Sequence, residues 1–216
     1  MTDAVRERLH LLSCTDLSDA MDRLGIACQC AGVMPLDRSF SLVGRAWTLR
    51  YGSIGQGGGS VGDYIDDIEP GQVVVLDNQG RLDATVWGDL LTSTAVRRKV
   101  AGTVIDGVCR DVDRAMELGY PIFSRGNWMR TGKDRVRVEA TQQPVTVGGI
   151  RVEPDDWLRG DGDGLVVVPA GRVDEVLAVA EEIHRAEEYI RAAIEHGVSL
   201  RDARTKYGYH KLQTPR

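Results

Sequence analysis

Cysteine is scarce in this chain, four in 216 residues, and none of the four falls into zinc-ribbon spacing. Cys28-Gln-Cys30 has no second pair to complete a soft-metal site, so reduced thiols are expected at Cys14, Cys28, Cys30 and Cys109. No apolar run reaches the ~18 residues of a membrane span and no leader-peptide pattern opens the sequence. The chain therefore reads as cytoplasmic, without a membrane partner. Basic residues are not in excess: 27 Lys and Arg stand against 32 Asp and Glu, a net charge of −5. That balance argues against nucleic acid as a partner and leaves room for small anions held by a local arginine. His10, His184, His196 and His210 are scattered, and none accompanies a Ser or Cys motif, so a nucleophilic triad is not expected. The glycine-rich run Gly52–Gly62 lacks the Gly-Lys-Ser/Thr ending of a P-loop and does not sit in a dinucleotide-binding unit. Its Gly55–Gly62 part reads either as a mobile loop near a site or as a plain connector.

What is present is an ordinary globular composition, 42% hydrophobic and 27% charged, of a length that suits one domain with a helical tail. The stretch Trp87–Gly126 is the part built for chemistry. Ala84–Trp87 is a short β-prone run, and Gly88-Asp89 opens a helix with Asp in a capping position. Leu90, Leu91, Ala95, Val96 and Val100 recur at helical spacing up to Gly102. Thr103–Ile105 is a buried-type strand, Asp106-Gly107 a turn, and Arg110-Asp111 heads a second helix that carries Ala115, Met116 and Leu118 and is closed by Gly119. Two successive strand-to-helix junctions thus each carry an Asp, the second beside an Arg. In α/β sheets such junctions are where ligands bind. The amides of Gly88, Asp89, Leu90 and Leu91 would form an anion cradle, Arg110 would grip a carboxylate, and Asp89 and Asp111 are hard oxygen donors of the kind that hold Mg²⁺ or Mn²⁺. A pair of plain helix caps with a surface arginine would look the same on spacing alone.

Elsewhere, two helical pieces are expected within 3–25, the second capped by Thr15, with Asp16, Asp19 and Asp22 on a solvated face. Residues 27–38 read as loop, Phe40–Tyr51 as an alternating strand, and Gln72–Leu76 as a buried strand ended by the turn chemistry of Asp77–Gly80. Strands follow at Val136–Ala140, Val145–Val147, Ile150–Val152 and Leu165–Val168, with Gly148-Gly149 as a hairpin turn. Val173–His196 is one long helix whose stripe runs through Val173, Val176, Leu177, Ala180, Ile183, Ile190 and Ile194. Glu187 falls on that stripe, where a carboxylate needs a partner; it either pairs with Arg191 or serves a site. Arg201–Arg216 reads as a basic arm or frayed end. The expected class is α/β, a mixed sheet or barrel-like β core with helices outside and a long C-terminal helix.

The order W-G-D-L-L, V-A-G-T-V-I-D-G-V-C-R-D, Y-P-I-F-S-R-G resembles the RraA-like family, which includes class II 4-hydroxy-4-methyl-2-oxoglutarate and 4-carboxy-4-hydroxy-2-oxoadipate aldolases and regulators of ribonuclease E. Thr15–Gly25, Glu69–Asp77 and Gly160–Pro169 are similar to its opening helix, its Pro-Gly-Asp-Val strand and its late strand. The resemblance implies a swivelling β/β/α fold, with 1–170 as the α/β domain and 171–216 as a helical extension packing on a neighbouring subunit of a homotrimer or homohexamer. It further implies a divalent cation, Mg²⁺ or Mn²⁺, on Asp111, with Asp89 and Glu187 orienting its waters, and Arg110 holding a small 2-oxo acid. Glu188 is the alternative to Glu187. An acidic residue is usual three positions after the Arg-Asp pair; here Arg114 stands there, with Asp113 one place earlier. The implied activity is cleavage of a 4-hydroxy-2-oxo acid to pyruvate, with oxaloacetate decarboxylation through the same enolate. A non-catalytic regulator of a ribonuclease or helicase, and a lyase for another 2-oxo or sugar acid, remain as alternatives. Only Lys99 lies within the core motifs, so a Schiff-base aldolase is not expected.

Overall fold

The computed structural model describes residues 2–54 and 61–209. It opens with α1 (Thr2–Leu11) and α2 (Cys14–Arg23). Ser13, rather than Thr15, caps α2: Ser13 Oγ accepts the Asp16 N–H at 3.0 Å while Asp16 Oδ2 accepts the Ser13 N–H at 2.9 Å. Such a capping box is worth about 1 kcal/mol. The helix stops as Gly25 turns to φ +67, and the Ile26 N–H closes back on Met21 O at 2.8 Å. Asp16 is therefore not on a solvated face; it is only 7% exposed because it serves the cap.

The chain then builds an eight-stranded mixed sheet. β2 (Leu42–Ser53), β3 (Gln72–Thr85), β4 (Gly102–Val108) and β5 (Ile122–Ser124) run parallel, connected after β3 by α3 (Asp89–Arg97) and after β4 by α4 (Val112–Leu118). β1 (Met34–Pro35) pairs antiparallel with β5; β6 (Val136–Thr141) and β9 (Trp157–Asp161) pair antiparallel with β2, and β10 (Gly164–Val168) with β9. β7 (Val145–Val147) and β8 (Ile150–Val152) form the small hairpin, turned by Gly148 and Gly149 at φ 57 and 84 as their sequence anticipates. The result is a nearly closed, barrel-like sheet with helices outside.

β2 is buried along both faces, unlike the half-exposed strand its sequence suggests. Alternate residues feed two cores. Trp47, Leu49, Tyr51, Leu76 and Ile105 pack with Ala95 of α3 and Ala115 of α4 on one side. Leu42, Ala46, Val75, Val104, Phe123 and Val167 pack on the other. At about 1.5–3 kcal/mol for each fully buried large apolar side chain, these layers are what hold the sheet together. β3 also differs from expectation: Asp77–Gly80 does not end the strand. It bulges there, with Gln79 and Gly80 at positive φ, and continues to Thr85, joining what read as two strands. β1 and β9 were not legible as strands. Helix α3 ends at Arg97, before Gly102, because Lys99 takes the left-handed position at φ 60.

The last part is α5 (Val173–Glu195) followed by α6 (Leu200–Lys206). The α5 stripe is buried from Val173 to Ile190, whereas Ile194 is 43% exposed and outside it. Arg8 with Glu181, Arg23 with Glu182 and Asp16 with His184 tie the N-terminal helices to α5. Tyr189 stacks on Tyr207 at 5.7 Å. Two compact units result, Gln29–Ala170 and a second formed by Met1–Cys28 together with Gly171–Arg216. The division falls between Ala170 and Gly171, and the first 28 residues group with the C-terminal helices rather than with the sheet. Part of the basic arm is an ordered helix with Ala203 buried; residues 210–216, like the core of the Gly55–Gly62 loop, lie outside the described residues. Among the described residues no helix is long and apolar enough to cross a membrane.

Candidate active site at the carboxyl ends of β3 and β4

The two junctions singled out by the sequence meet. Backbone bonds clamp them together: the Arg110 N–H donates to Trp87 O at 2.9 Å and the Val86 N–H to Val108 O at 3.4 Å. Trp87 is buried beneath them, stacked on Tyr120 at 6.1 Å and donating its Nε1–H to Thr92 Oγ1 at 2.9 Å. These contacts form the floor under the corner. Asp111 occupies the left-handed region at φ 55 and does not cap its own helix with its side chain. A non-glycine residue pays for that backbone with strain of about 1–3 kcal/mol, which the surroundings must offset. The effect is to turn the carboxylate across the gap, where Asp111 Oδ2 accepts the Asp89 N–H at 3.2 Å and faces Arg110 Nε at 3.3 Å. The N-terminal end of α3 favours an anion there.

Gly88 is what allows this approach. A Cβ added at Gly88 would lie 2.7 Å from Asp111 Oδ2 and 3.3 Å from Arg110 Nε. The requirement is space, since Gly88 has the ordinary extended φ of −155.

A cleft of about 350 Å³ opens at this corner, bounded on one side by Gly88, Asp89, Leu91 and Arg110 and on the other by Val61, Asp63 and Asp66. The second wall is the 3-10 turn Asp63–Asp67, held by the Tyr51 hydroxyl on Val61 O at 2.6 Å and by Arg98 on Asp66 O at 2.6 Å. This wall was absent from the candidate residues drawn from the sequence; the acidic Asp-Tyr-Ile-Asp-Asp run was its one visible signal.

The Asp89 backbone, Arg110 and Asp111 are thus brought together. Two of the four amides expected to form the cradle are already engaged, however. The Asp89 N–H is taken by Asp111, and the Leu90 N–H donates to Asp89 Oδ1 at 2.8 Å, while the Leu90 side chain is 79% exposed. In this arrangement an incoming carboxylate is met first by Arg110. Arg114 turns to Ser93 Oγ at 3.2 Å and to Glu117 at 3.0 Å, so it does not compete for Asp111. Among the described residues no three His, Cys, Asp or Glu side chains form a ready-made metal cage. One presented carboxylate with a second beside it does fit a magnesium-type ion, which keeps most of its waters and takes one or two protein carboxylates.

Glu187 belongs to the other unit. Arg191 pairs with Glu188 rather than with it. Burial, then repulsion from Asp16 and Asp19, raise the Glu187 carboxyl above the ordinary glutamate range, with Arg191 and His184 opposing. A carboxyl whose pKa is raised on folding weakens the fold once it ionises. Glu187→Gln is expected to raise the melting temperature at neutral pH, with the gain fading as pH falls through the ordinary glutamate range, where the native side chain is itself protonated. A melting series from pH 4 to 8 checks this.

A sequence model described as "RraA-like: Aldolase/RraA" matches residues 14–167. The chain is 36% identical over 207 residues to protein DlpA of Legionella pneumophila, covering 94% of this chain but 34% of DlpA, so it spans about a third of that relative. It is 30% identical over 190 residues, 85% of each chain, to a Halalkalibacterium halodurans protein provisionally named 4-hydroxy-4-methyl-2-oxoglutarate aldolase. Among solved structures, Streptomyces coelicolor RraAS2, titled an unusual member of the RNase ES inhibitor RraA protein family, superposes with a TM-score of 0.79 at 28% identity, covering 87% of this chain and 96% of that one. The match across residues 14–167, on a mixed sheet of this order, makes this chain a member of the RraA-like family.

Proposed function

We propose that the protein is a divalent-metal-dependent lyase that cleaves a 4-hydroxy-2-oxo acid of the 4-hydroxy-4-methyl-2-oxoglutarate type to pyruvate and a carbonyl product. The observation that carries the reading is the Asp89–Arg110–Asp111 corner opening on the cleft. Arg110 holds the substrate carboxylate through charge-assisted hydrogen bonds. Asp111 would hold the cation, Mg²⁺ or Mn²⁺, which when bound supplies Lewis-acid polarisation of the 2-oxo group. Asp89 has one oxygen fixed by the Leu90 amide, which orients its carboxylate to draw the proton from the C4 hydroxyl, directly or through one water. The C3–C4 bond breaks, its electron pair remains on C3 as the pyruvate enolate, and the C4 oxygen becomes the carbonyl of the second product. Arg110 faces the negative charge that develops, and protonation at C3 completes pyruvate. Oxaloacetate decarboxylation passes through the same enolate and is an expected side activity. The protein assembles as a homotrimer or homohexamer in which Glu187 completes the site of a neighbouring protomer.

The test is pyruvate release from 4-hydroxy-4-methyl-2-oxoglutarate and from oxaloacetate with Mg²⁺ and after EDTA. Turnover lost to the chelator and restored by Mg²⁺ or Mn²⁺ is expected. No release from either acid with metal present would favour the second reading, a protein regulator, for which the likeness to the Streptomyces RraA structure is the supporting observation.

A further inference from the structure

Helix α3 touches both sides of the cleft. Its first residue, Asp89, stands at the corner with its N–H held by Asp111, and Leu91 and Thr94 line the cleft along the next turns. Its C-terminal cap is Arg98, whose backbone N–H closes on Thr94 O at 3.0 Å. The Arg98 side chain leaves the helix for the opposite wall. Its NH2 group donates to the carbonyls of Asp66 and Ile68 at 2.6 and 3.1 Å, at the end of the 3-10 turn and at the residue that caps it. The Asp66 carboxylate, 3.7 Å from the NH1 group and largely exposed, adds little to this grip. The start of the wall is fixed separately, by the Tyr51 hydroxyl donating to Val61 O at 2.6 Å. Tyr64 and Ile68 bury the back of the wall in the core, Tyr64 stacked on Trp47 at 5.4 Å.

Apolar burial holds the back of the wall and leaves its distance from the corner to the polar contacts at its two ends. Carbonyls at the end of a helical turn have no partner within it, and one guanidinium can answer two of them at once. Arg98 thereby ties the wall to the same helix that begins at Asp89, so that wall and corner keep a fixed separation. Resting on the lyase reading above, we infer that Arg98 is a positioning residue, which sets the width of the cleft in which the 2-oxo acid lies against Arg110. Arg98 does not itself line the cleft. The wall it holds stands across the cleft from Arg110, which faces the developing negative charge, so it acts on the bound ground state and the transition state alike. Its loss therefore falls on KM and spares kcat.

The experiment is steady-state pyruvate release from 4-hydroxy-4-methyl-2-oxoglutarate by the full chain with Mg²⁺, beside Mn²⁺ titrations and thermal melts. Arg98→Met is expected to raise KM about tenfold, the size of one lost charge-assisted hydrogen bond. Its kcat and Mn²⁺ affinity should stay within about twofold of wild type, because the corner itself is untouched. Arg98→Lys, which keeps the charge without the planar group, should recover part of the KM. Tyr51→Phe frees the other end of the wall and should move KM the same way by less, since that hydrogen bond is between neutral groups. A wild-type KM in every variant that folds overturns the inference. So does a fall in kcat and Mn²⁺ affinity that matches the rise in KM, the mark of a general loosening. Either result leaves wild-type turnover, and with it the lyase reading, standing. No pyruvate from the wild-type protein overturns both.

Discussion

Arg110→Ala is expected to lower kcat/KM for pyruvate release by about 10²–10³-fold, the loss typical when one preorganised group facing the developing oxyanion is removed. Arg110 is the one cation among the described lining residues, and two of the neighbouring helix amides, those of Asp89 and Leu90, are already taken by Asp111 and Asp89. Arg110→Lys should recover only part of the loss, since an ammonium keeps the charge but not the planar fork. Folding should be little affected, because the Arg110 side chain is 41% exposed and its one ion pair among the described residues is with Asp111, itself 40% exposed. Steady-state assays beside thermal melts separate the two effects: an inactive variant with a native melting curve is the expected result, and a fully active one contradicts the assignment.

Gly88→Ala is the second large effect, and it acts without touching any charged group. The new methyl would sit 2.7 Å from Asp111 Oδ2, inside contact distance, so the carboxylate or the Arg110 stem must move. A displacement of about 1 Å in a catalytic group costs roughly 10²-fold in rate. Backbone strain is not the cause, because φ −155 suits alanine. Loss of activity and of Mn²⁺ affinity together, with the melting temperature nearly kept, is the expected outcome; unchanged kinetics would show that the corner is not held as tightly as the distances imply.

How far the sequence foretold this arrangement depends on the kind of signal. The βα junctions at Gly88-Asp89 and Arg110-Asp111 were visible because strand, turn and helix patterns alternate there in the order that builds a parallel sheet, and the resemblance then named the fold. β9 was hidden because Trp157, Leu158, Arg159 and Gly160 are all buried, leaving no period-two contrast, and because Gly160 is kept bare for the Phe123 ring, which an added Cβ would meet at 2.6 Å. β1 is two residues long and contains a proline. The continuity of β3 through Asp77–Gly80 went unread since the same residues that make turns also make bulges. Within the site, the residue types were legible and their hydrogen bonds were not. That Asp111 adopts a left-handed backbone, and that it claims the Asp89 amide expected to bind substrate, follows from the tertiary closeness of the two junctions, which no local pattern encodes. Asp16 was misplaced for a similar reason: i, i+3, i+6 spacing suggests a solvated face, while the capping box at Ser13 and contact with His184 draw it inside.

The central claim is that one corner, formed by Asp111, Asp89 and Arg110, receives both a divalent cation and a 2-oxo acid. A crystal structure of the protein with Mg²⁺ and pyruvate tests it most directly. The account predicts the ion on the Asp111 carboxylate and the pyruvate carboxylate on the Arg110 guanidinium, within the cleft beside Gly88. An ion and pyruvate bound elsewhere, with Arg110 still facing only Asp111, would contradict it.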